Sequence, residues 1–352
     1  MMKKISFFLF LTLFVYLYQL APPSWMREQI RSDLSLLKGA KVTKEMLDDA
    51  MEKNERENGQ YLLLRVRHTN GELEIESHPL YENDLRTQMM RKTFATLFKK
   101  YKLPDLDFIV SLHDSLDHAN LPAPVFVFAK DSRLFEKVIL IPDFEALAGN
   151  RNQMREVRRG SQQFPWEKRE EKAIWRGATT GALFDSATFL SLPRAQLVSV
   201  SLEHPDLIDA RFTSLCQCAD PVNVQTHYDH YFASSVPISE HFRYKYQILA
   251  DGNSCAYSRA YWQLFSQCVV FKQDSPHVQW YYRALKPYIH YLPVRTDFKD
   301  LAEQIHWART HDLEAKKIGE NSHKFARDNL RKKQLFRYLA HLLRKYARYQ
   351  SF

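Results

Sequence analysis

Short apolar runs that alternate with helical patterns are the main feature of the chain. Runs of strand length occur at residues 108–112, 124–129 and 138–142, and again at 173–175, 195–200, 244–250, 268–271 and 290–294. Continuous apolar runs of this length are typical of strands buried in a parallel sheet. Helical patterns fill the gaps, at about residues 256–264, 300–311 and 312–330. Alternating strands and helices predict an α/β fold with helices on both faces of parallel sheets.

The N-terminal third has its own pattern. Residues 24–58 and 84–101 have helical spacing, with Thr43 and Asn83 as candidate helix caps. Residues 61–67 and 72–77 alternate between apolar and polar positions around Asn70-Gly71, which predicts a β-hairpin or two neighbouring strands. The polar stretch 149–169 is interpreted as a link between domains.

The length of 352 residues exceeds the usual size of one hydrophobic core, so two domains are expected. The predicted units are a membrane anchor or signal segment at 1–22, an N-terminal domain at 23–150, a second domain at 151–330 and a basic C-terminal helix at 331–352. That last helix has one apolar stripe, which predicts packing on a core and leaves membrane contact by its basic face possible.

The N-terminus carries an apolar run of 17 residues, 5–21, after Lys3 and Lys4. This length is at the lower limit for spanning a bilayer and is long for the core of a signal peptide. No clear cleavage site follows, so an uncleaved anchor is favoured over a cleaved signal. The sequence predicts membrane association and leaves the side of the membrane open.

Composition narrows the function classes. The net charge is +9, and residues 322–352 hold nine Lys or Arg against one Asp. Such a tail attracts anionic surfaces, but without a recognition motif it does not indicate nucleic-acid binding. There are nine glycines and neither a G-x-G-x-x-G nor a P-loop motif, which disfavours dinucleotide and P-loop enzymes. The four cysteines are interpreted as free thiols.

The polar segment 249–259 contains Asp251-Gly252-Asn253-Ser254 and ends at Arg259. A tight turn at Gly252 would direct backbone N–H groups and the Arg259 guanidinium at one point, which suits a diphosphate. An ordinary turn before a helix is the alternative. Two further blocks accompany it, at 173–181 (AIWRGATTG) and 285–294 (LKPYIHYLPV), with HFRYKY at 241–246.

These blocks, in this order, resemble glycosyltransferase family 90, the capsule-associated-protein type enzymes that include lipopolysaccharide-modifying transferases and protein O-glucosyltransferases. The resemblance covers roughly residues 100–345. It implies a GT-B-like fold of two Rossmann-like domains facing a cleft, with the acceptor side in 23–150 and the nucleotide-sugar donor in 151–330. The implied reaction is inverting, metal-independent transfer of a hexose or pentose from a UDP-sugar to a hydroxyl of a glycan such as lipopolysaccharide.

Asp114 is the candidate catalytic base, because it follows the apolar run 108–112 and the carboxyl ends of buried strands face the ligand crevice in α/β proteins. Asp117 and His113 are the alternative candidates for the base. The structural alternative for Asp114 is that it caps the N-terminus of a helix.

For the donor, the resemblance assigns Arg259 to the diphosphate and makes Arg194 the counterpart of a second family arginine, although the loop before it is longer here. Arg176 is a further candidate or a buried structural ion pair. Asp251 is expected to bind ribose or to cap a helix. The full predicted set is Arg176, Gly177, Thr179, Thr180, Gly181, Arg194, Lys245, Asp251, Gly252, Asn253, Ser254 and Arg259.

No metal or other cofactor is expected. His227, Asp229, His230 and His241 are the residues nearest to a metal-ligand pattern, but they lack a helical context for it. Two rival functions remain. A glycoside hydrolase would need two carboxylates about 5–10 Å apart, and a non-catalytic anchored protein would bind polyanions through its basic tail.

Overall fold

The computed structural model describes residues 22–114, 121–134 and 138–352. The apolar run 5–21 and Asp117 lie outside the described residues. Among the helices that the structure describes, none combines the length and apolar character needed to cross a bilayer.

The first sheet lies in the N-terminal part and has five strands in the order β2-β1-β3-β4-β6. These are β1 (Leu63–Thr69), β2 (Glu72–Ser77), β3 (Leu106–Ser111), β4 (Val125–Val127) and β6 (Val138–Leu140). Strand β1 runs antiparallel to both β2 and β3, whereas β3, β4 and β6 are parallel. The β1–β2 hairpin turns at Asn70 and Gly71, whose φ angles of 54° and 86° are those that an Asn-Gly hairpin turn requires.

The second sheet also has five strands, in the order β12-β10-β9-β7-β8, and its pairs are all parallel. These are β7 (Glu170–Ala178), β8 (Ile208–Ser214), β9 (Tyr244–Leu249), β10 (Val269–Gln273) and β12 (Leu292–Val294). A two-stranded pair links the two halves of the chain, because β5 (Lys130–Asp131) pairs with β11 (His277–Val278). The predicted α/β class is therefore confirmed, with a mixed first sheet and a parallel second sheet.

Eleven α-helices cover the sheets in the described residues. They are α1 (Ser24–Asp33), α2 (Lys44–Arg56), α3 (Leu85–Lys100), α4 (Phe144–Ala148), α5 (Arg151–Gln163), α6 (Pro193–Glu203), α7 (Pro221–Tyr228), α8 (Tyr257–Leu264), α9 (Leu301–Thr310), α10 (Asp312–Asn329) and α11 (Lys332–Tyr346). Thr43 caps α2 as predicted, its hydroxyl accepting from Met46 N. Asp84, not Asn83, caps α3, because its carboxylate accepts from the N–H groups of Arg86 and Thr87.

One prediction from the apolar pattern is wrong. Residues 195–200 form part of helix α6, not a strand, because Pro193 begins a helix that is buried over most of its surface. A helix buried in this way shows a continuous apolar run like that of a strand. The expected link at 149–169 contains helix α5, which packs on the 3₁₀ segment Ile238–Arg243. A β-carbon on Gly160 would lie 2.5 Å from the Phe242 ring, so this close packing needs glycine.

The C-terminal helix completes the first core. On α11, Tyr338 donates its hydroxyl proton to Leu140 O at 3.2 Å, and Tyr346 meets the Phe126 ring edge-on at 5.0 Å. Residues 331–352, set apart in the predicted division, thus join the N-terminal sheet. The boundaries at 150 and 330 stay predictions.

Candidate active site

A cleft of about 370 Å³ opens beyond the C-terminal end of β3, opposite the loop that follows β9. The crevice beyond the carboxyl ends of strands is the usual ligand site of α/β proteins. Fourteen described residues line it: Arg86, Asp114, Phe144, Glu145, Thr180, Arg194, Gly252, Asn253, Ser254, Cys255, Ala256, Tyr257, Ser258 and Arg259. Seven of the thirteen predicted site residues therefore meet in one cleft.

Asp114 is held at the cleft wall by both halves of the molecule. Its Oδ1 lies 2.9 Å from Arg86 Nη2, and its backbone carbonyl accepts from Ser254 Oγ at 2.7 Å and from the Tyr257 hydroxyl. Asn253 Nδ2 lies 3.5 Å from Oδ2. With 31% of the side chain exposed, the carboxylate is fixed in position and still open to a ligand. His113, an alternative base, is exposed and is not among the lining residues.

Arg86 is a site residue that the sequence did not indicate. It lies on α3, donates from Nη1 to Leu112 O at 2.8 Å, and places its guanidinium 5.1 Å from the centre of the Phe144 ring. These contacts fix the group that pairs with Asp114. Arg86 sits among other basic residues of a helix, and nothing in that local sequence distinguishes it.

Arg194 lies buried at the start of α6, beneath the loop after β9. Its Nε donates to Asp251 O at 2.8 Å, and Nη1 donates to Ala178 O at 2.8 Å and to Thr180 Oγ1 at 2.7 Å. Burial lowers the pKa of Arg194 to about 10. The guanidinium stays charged at neutral pH and ties together the two loops that border the cleft.

Arg259 lies beside it in the same cleft. Its Nη2 donates to the carbonyl oxygen of Arg176 at 2.5 Å, and its guanidinium is 5.9 Å from the centre of the Trp175 ring. Burial, and then the nearby charge of Arg194, lower the pKa of Arg259 to about 10. Neither Arg194 nor Arg259 forms a salt bridge with a carboxylate in the part of the chain that the structure describes. Two cations share a cleft without a salt-bridge partner among the described residues.

Gly252 allows the loop to lie directly on Arg194. A β-carbon at this position would stand 2.6 Å from Thr180 Oγ1 and 2.8 Å from Arg194 Nη2. Gly181, at φ 139°, donates its N–H to Asn253 Oδ1 at 3.1 Å. The loop after β7 and the loop after β9 are thereby fastened to each other.

Helix α8 directs its N-terminus at the cleft, since Ala256, Tyr257 and Ser258 all line it. No side chain caps this end of the helix. The first N–H groups of a helix and its dipole favour an anion at such a position. The uncapped helix end therefore adds to the positive potential of Arg194 and Arg259.

Four of the predicted donor residues that do not line the cleft are Arg176, Gly177, Thr179 and Asp251. Arg176 pairs with Asp209 at 2.8 Å, which is the structural alternative considered for it. Gly177 packs on the Trp175 ring, and Thr179 accepts from Cys216 N and donates to Cys216 O, both at 2.8 Å. Asp251 is the fourth.

The side chain of Asp251 faces away from the cleft lining, and burial raises the pKa of its carboxyl group. Its Oδ2 has no hydrogen-bond partner among the described residues. Its contribution to the cleft is the backbone carbonyl that Arg194 binds.

Lys245 lies at the start of β9, at the far end of the strand from Asp251. Its Nζ forms ion pairs with Glu171 at 2.9 Å and Asp312 at 2.6 Å. These contacts hold β7, β9 and α10 together, and we do not place Lys245 in the proposed donor site.

The histidine pattern does not converge on one point. His227 Nδ1 contacts Asn223 O at 2.7 Å, whereas His241 is buried against Trp262 with ring centres 5.3 Å apart. Burial, together with the charges of Arg259 and Arg176, lowers the pKa of His241 to about 3. Within the described ranges, no group of three or more His, Cys, Asp or Glu side chains has the geometry of a metal site.

Comparison with known proteins adds independent information. A family model described as "Glycosyl transferase family 90" matches residues 21–352. Protein O-glucosyltransferase 3 of Homo sapiens is 33% identical over 267 residues, covering 73% of this chain and 49% of that protein. Protein O-glucosyltransferase 2 of Danio rerio is 30% identical over 332 residues, covering 92% and 62% respectively.

The chain thus spans between about half and three fifths of the length of these relatives. A sucrose-phosphate synthase from Thermosynechococcus elongatus superposes on 63% of this chain and 52% of its own, with 12% identity and a TM-score of 0.35, too low to carry an argument. The family model covers nearly all of the chain, including every residue of the cleft. The chain therefore belongs to glycosyl transferase family 90.

Proposed function

We propose that this protein is a GT-B-like glycosyltransferase that moves a hexose or pentose from a UDP-sugar to an acceptor hydroxyl, with inversion and without a metal ion. The observation that carries the proposal is that two guanidinium groups without a salt bridge among the described residues, Arg194 and Arg259, lie in the same cleft as the partly exposed Asp114 carboxylate. No other cofactor is required by this arrangement.

The leaving diphosphate is the ligand that best satisfies the cleft. A buried cation is costly unless it is paired, and a diphosphate would pair with both guanidinium groups at once. The uncapped N-terminus of α8 would supply further N–H donors. Fixed cations of this kind stabilise the negative charge that develops as the bond to the sugar breaks, which is the task a metal ion performs elsewhere.

Asp114 is the proposed base. In an inverting transfer the acceptor oxygen attacks the anomeric carbon, the bond from that carbon to the diphosphate oxygen breaks, and the acceptor proton passes to the base. A base needs its carboxylate ionised and held at the acceptor hydroxyl. The contacts with Arg86 and Asn253 hold the Asp114 carboxylate in position.

The acceptor and the membrane location are further parts of the proposal. The relatives named above are protein O-glucosyltransferases, which favours glucose as the sugar and a protein hydroxyl as the acceptor. A glycan such as lipopolysaccharide is the acceptor that the sequence resemblance implies. We place the protein at a membrane surface because of the apolar run 5–21 and the basic C-terminal helix.

A glycoside hydrolase is the main rival, because Glu145 is a second carboxylate lining the cleft. Hydrolysis gives the two arginines of the cleft no role, whereas phosphate binding does. Titration calorimetry with UDP separates the two functions, since a transferase binds UDP. A panel of UDP-sugars with UDP release as the readout then identifies the donor.

The base assignment is tested by Asp114→Asn, with Glu145→Gln as the matched carboxylate control in the same cleft. Asp114→Asn should keep the affinity for UDP and lower transfer by about 10²–10⁴, the usual contribution of a general base. Glu145→Gln should retain most of the transfer rate. Full activity in Asp114→Asn would refute the assignment and return attention to Asp117 and His113.

A further inference from the structure

A second cavity, of about 420 Å³, lies between α1 and the end of α11. It shares no lining residue with the cleft. Six basic side chains line it: Arg27, Arg31, Lys38, His341, Lys345 and Arg348. We refer to it as the basic groove. Arg27 and Arg31 lie one turn apart on α1, and His341 and Lys345 lie one turn apart on α11, so each helix contributes a pair of basic side chains to the groove.

The charges of the basic groove are not balanced by acids. No carboxylate forms a salt bridge with its five Lys and Arg side chains in the ranges that the structure describes. Asp33, the acid of α1 nearest in sequence to Arg31, is buried and pairs instead with Lys130 at 3.3 Å. Burial and the charges of Lys345, Arg344 and Arg27 lower the pKa of His341.

The groove is built from fixed backbone. Val42 N donates to Tyr349 O at 2.9 Å, and Ser351 N donates back to Val42 O at 3.2 Å. Lys41 Nζ donates to Arg348 O at 3.2 Å. The apolar side of the groove is formed by the buried Ile30 of α1 and by the buried Leu34, the first residue after that helix. A ligand would therefore meet a cavity whose two walls are already joined, with little ordering cost on binding.

Helix α1, which forms one wall of the groove, begins shortly after the apolar run 5–21 in the sequence. That run ends six residues before Arg27. Six residues span at most about 22 Å even when fully extended. Arg27 is therefore within about 22 Å of the end of the run, close enough for α1 to reach the headgroups of a bilayer that holds the run.

We propose that the basic groove binds the phosphate of an anionic phospholipid headgroup at the membrane surface. Clustered Lys and Arg side chains next to a membrane segment are suited to anionic headgroups. The apolar run supplies attachment to any bilayer, whereas the groove supplies preference for an anionic one. This assignment is independent of the proposed transfer reaction, because none of its residues lines the cleft.

The test uses the full chain and two vesicle compositions, phosphatidylcholine alone and phosphatidylcholine with phosphatidylglycerol. The ratio of the two partition coefficients in a flotation assay isolates the anionic preference from attachment by the apolar run. The variant is Arg31→Gln with Lys345→Gln. The matched control is Lys317→Gln with Lys324→Gln, which removes the same charge from exposed positions of α10 outside the groove.

We expect the groove variant to lower the ratio by about 25-fold, from about fivefold for each cation removed at an anionic surface. The control should change the ratio by less than about fivefold, because salt screens charges beyond about 10 Å. Unchanged thermal unfolding and UDP binding in both variants verify the fold.

Two results would overturn the proposal. Equal losses in the two variants would mean that net charge, and not the groove, sets the preference. Calorimetry with inorganic phosphate gives the second arm: tight phosphate binding that the groove variant loses, without any vesicle preference in the parent protein, would identify a site for free phosphate instead of lipid.

Discussion

Replacing Arg259 by methionine should weaken UDP binding without destabilising the ligand-free protein. The pKa of Arg259 falls from 12.5 to about 10 in the folded chain. At about 1.4 kcal/mol for each pKa unit, holding the charge in the cleft costs about 3 kcal/mol before any allowance for cleft water. Because the pKa is depressed, this cost is present at every pH below about 10 and is therefore complete at neutral pH.

The substitution also removes a hydrogen bond. The carbonyl oxygen of Arg176 loses its donor, which costs about 1–3 kcal/mol for a buried group. Removing the charge relieves about 3 kcal/mol, and losing the hydrogen bond costs about 1–3 kcal/mol. The free energy of unfolding of Arg259→Met should therefore be unchanged or raised by up to about 2 kcal/mol. Truncating one partner of a buried ion pair, in contrast, usually lowers it by about 3–5 kcal/mol.

The affinity for UDP, in contrast to the stability, should fall. A hydrogen bond from a charged donor to phosphate contributes about 1.5–3 kcal/mol, so the dissociation constant for UDP should rise by about 10- to 150-fold. Urea unfolding with and without UDP measures both quantities, since saturating ligand stabilises only the folded state.

Arg176→Met is the matched control, because Arg176 pairs with Asp209 and does not line the cleft. The free energy of unfolding of Arg176→Met should fall by about 3–5 kcal/mol, the loss expected when one partner of a buried ion pair is truncated. A loss of more than about 2 kcal/mol in Arg259→Met with unaltered UDP affinity would refute the view that Arg259 is a cation held without a counterion for a ligand.

Three further outcomes are expected. Gly252→Ala should weaken UDP binding about tenfold in calorimetry and lower the free energy of unfolding by about 1 kcal/mol, because the added β-carbon would separate Thr180 from Arg194. If neither quantity changes, the loop is not fixed at Gly252. Asp143→Asn should be more stable than the parent in urea unfolding at pH 8, by up to about 4 kcal/mol. Burial raises the pKa of Asp143 to about 7, so the free energy of unfolding of the parent protein should fall as pH rises from about 4 to 7. A free energy of unfolding that does not change over that pH range would contradict this. Transfer should survive a strong chelator, because arginines are proposed to take the place of a cation; loss on chelation with rescue by manganese would refute this.

Local chemistry made much of the fold predictable. The Asn70-Gly71 turn, the Thr43 cap and the strand before Asp114 are each specified by a few adjacent residues. The segment 249–259 was also predictable as one wall of the cleft, because its glycine and its arginine have a distinctive spacing. Interactions within a dozen residues leave a readable pattern in the sequence.

Interactions between distant elements were not predictable. Arg86 and Asp114 are 28 positions apart, and no pattern in either segment indicates their ion pair. Lys245 belongs to the predicted donor set, yet it lies at the end of β9 opposite to the 249–259 segment and pairs with Asp312. Helix α6 was mistaken for a strand because burial on most sides removes the polar face by which a helix is recognised.

The closure of the first core by α11 sets an order for folding during synthesis. Gln350 donates to the carbonyl of Asp107 and accepts from its N–H, so the first sheet receives this partner only after residue 350 has been synthesised. The parallel sheet formed by residues 170–294 completes its strands earlier. The core of the N-terminal half, although that half is made first, is therefore completed last, and until then it lacks the packing that α11 supplies.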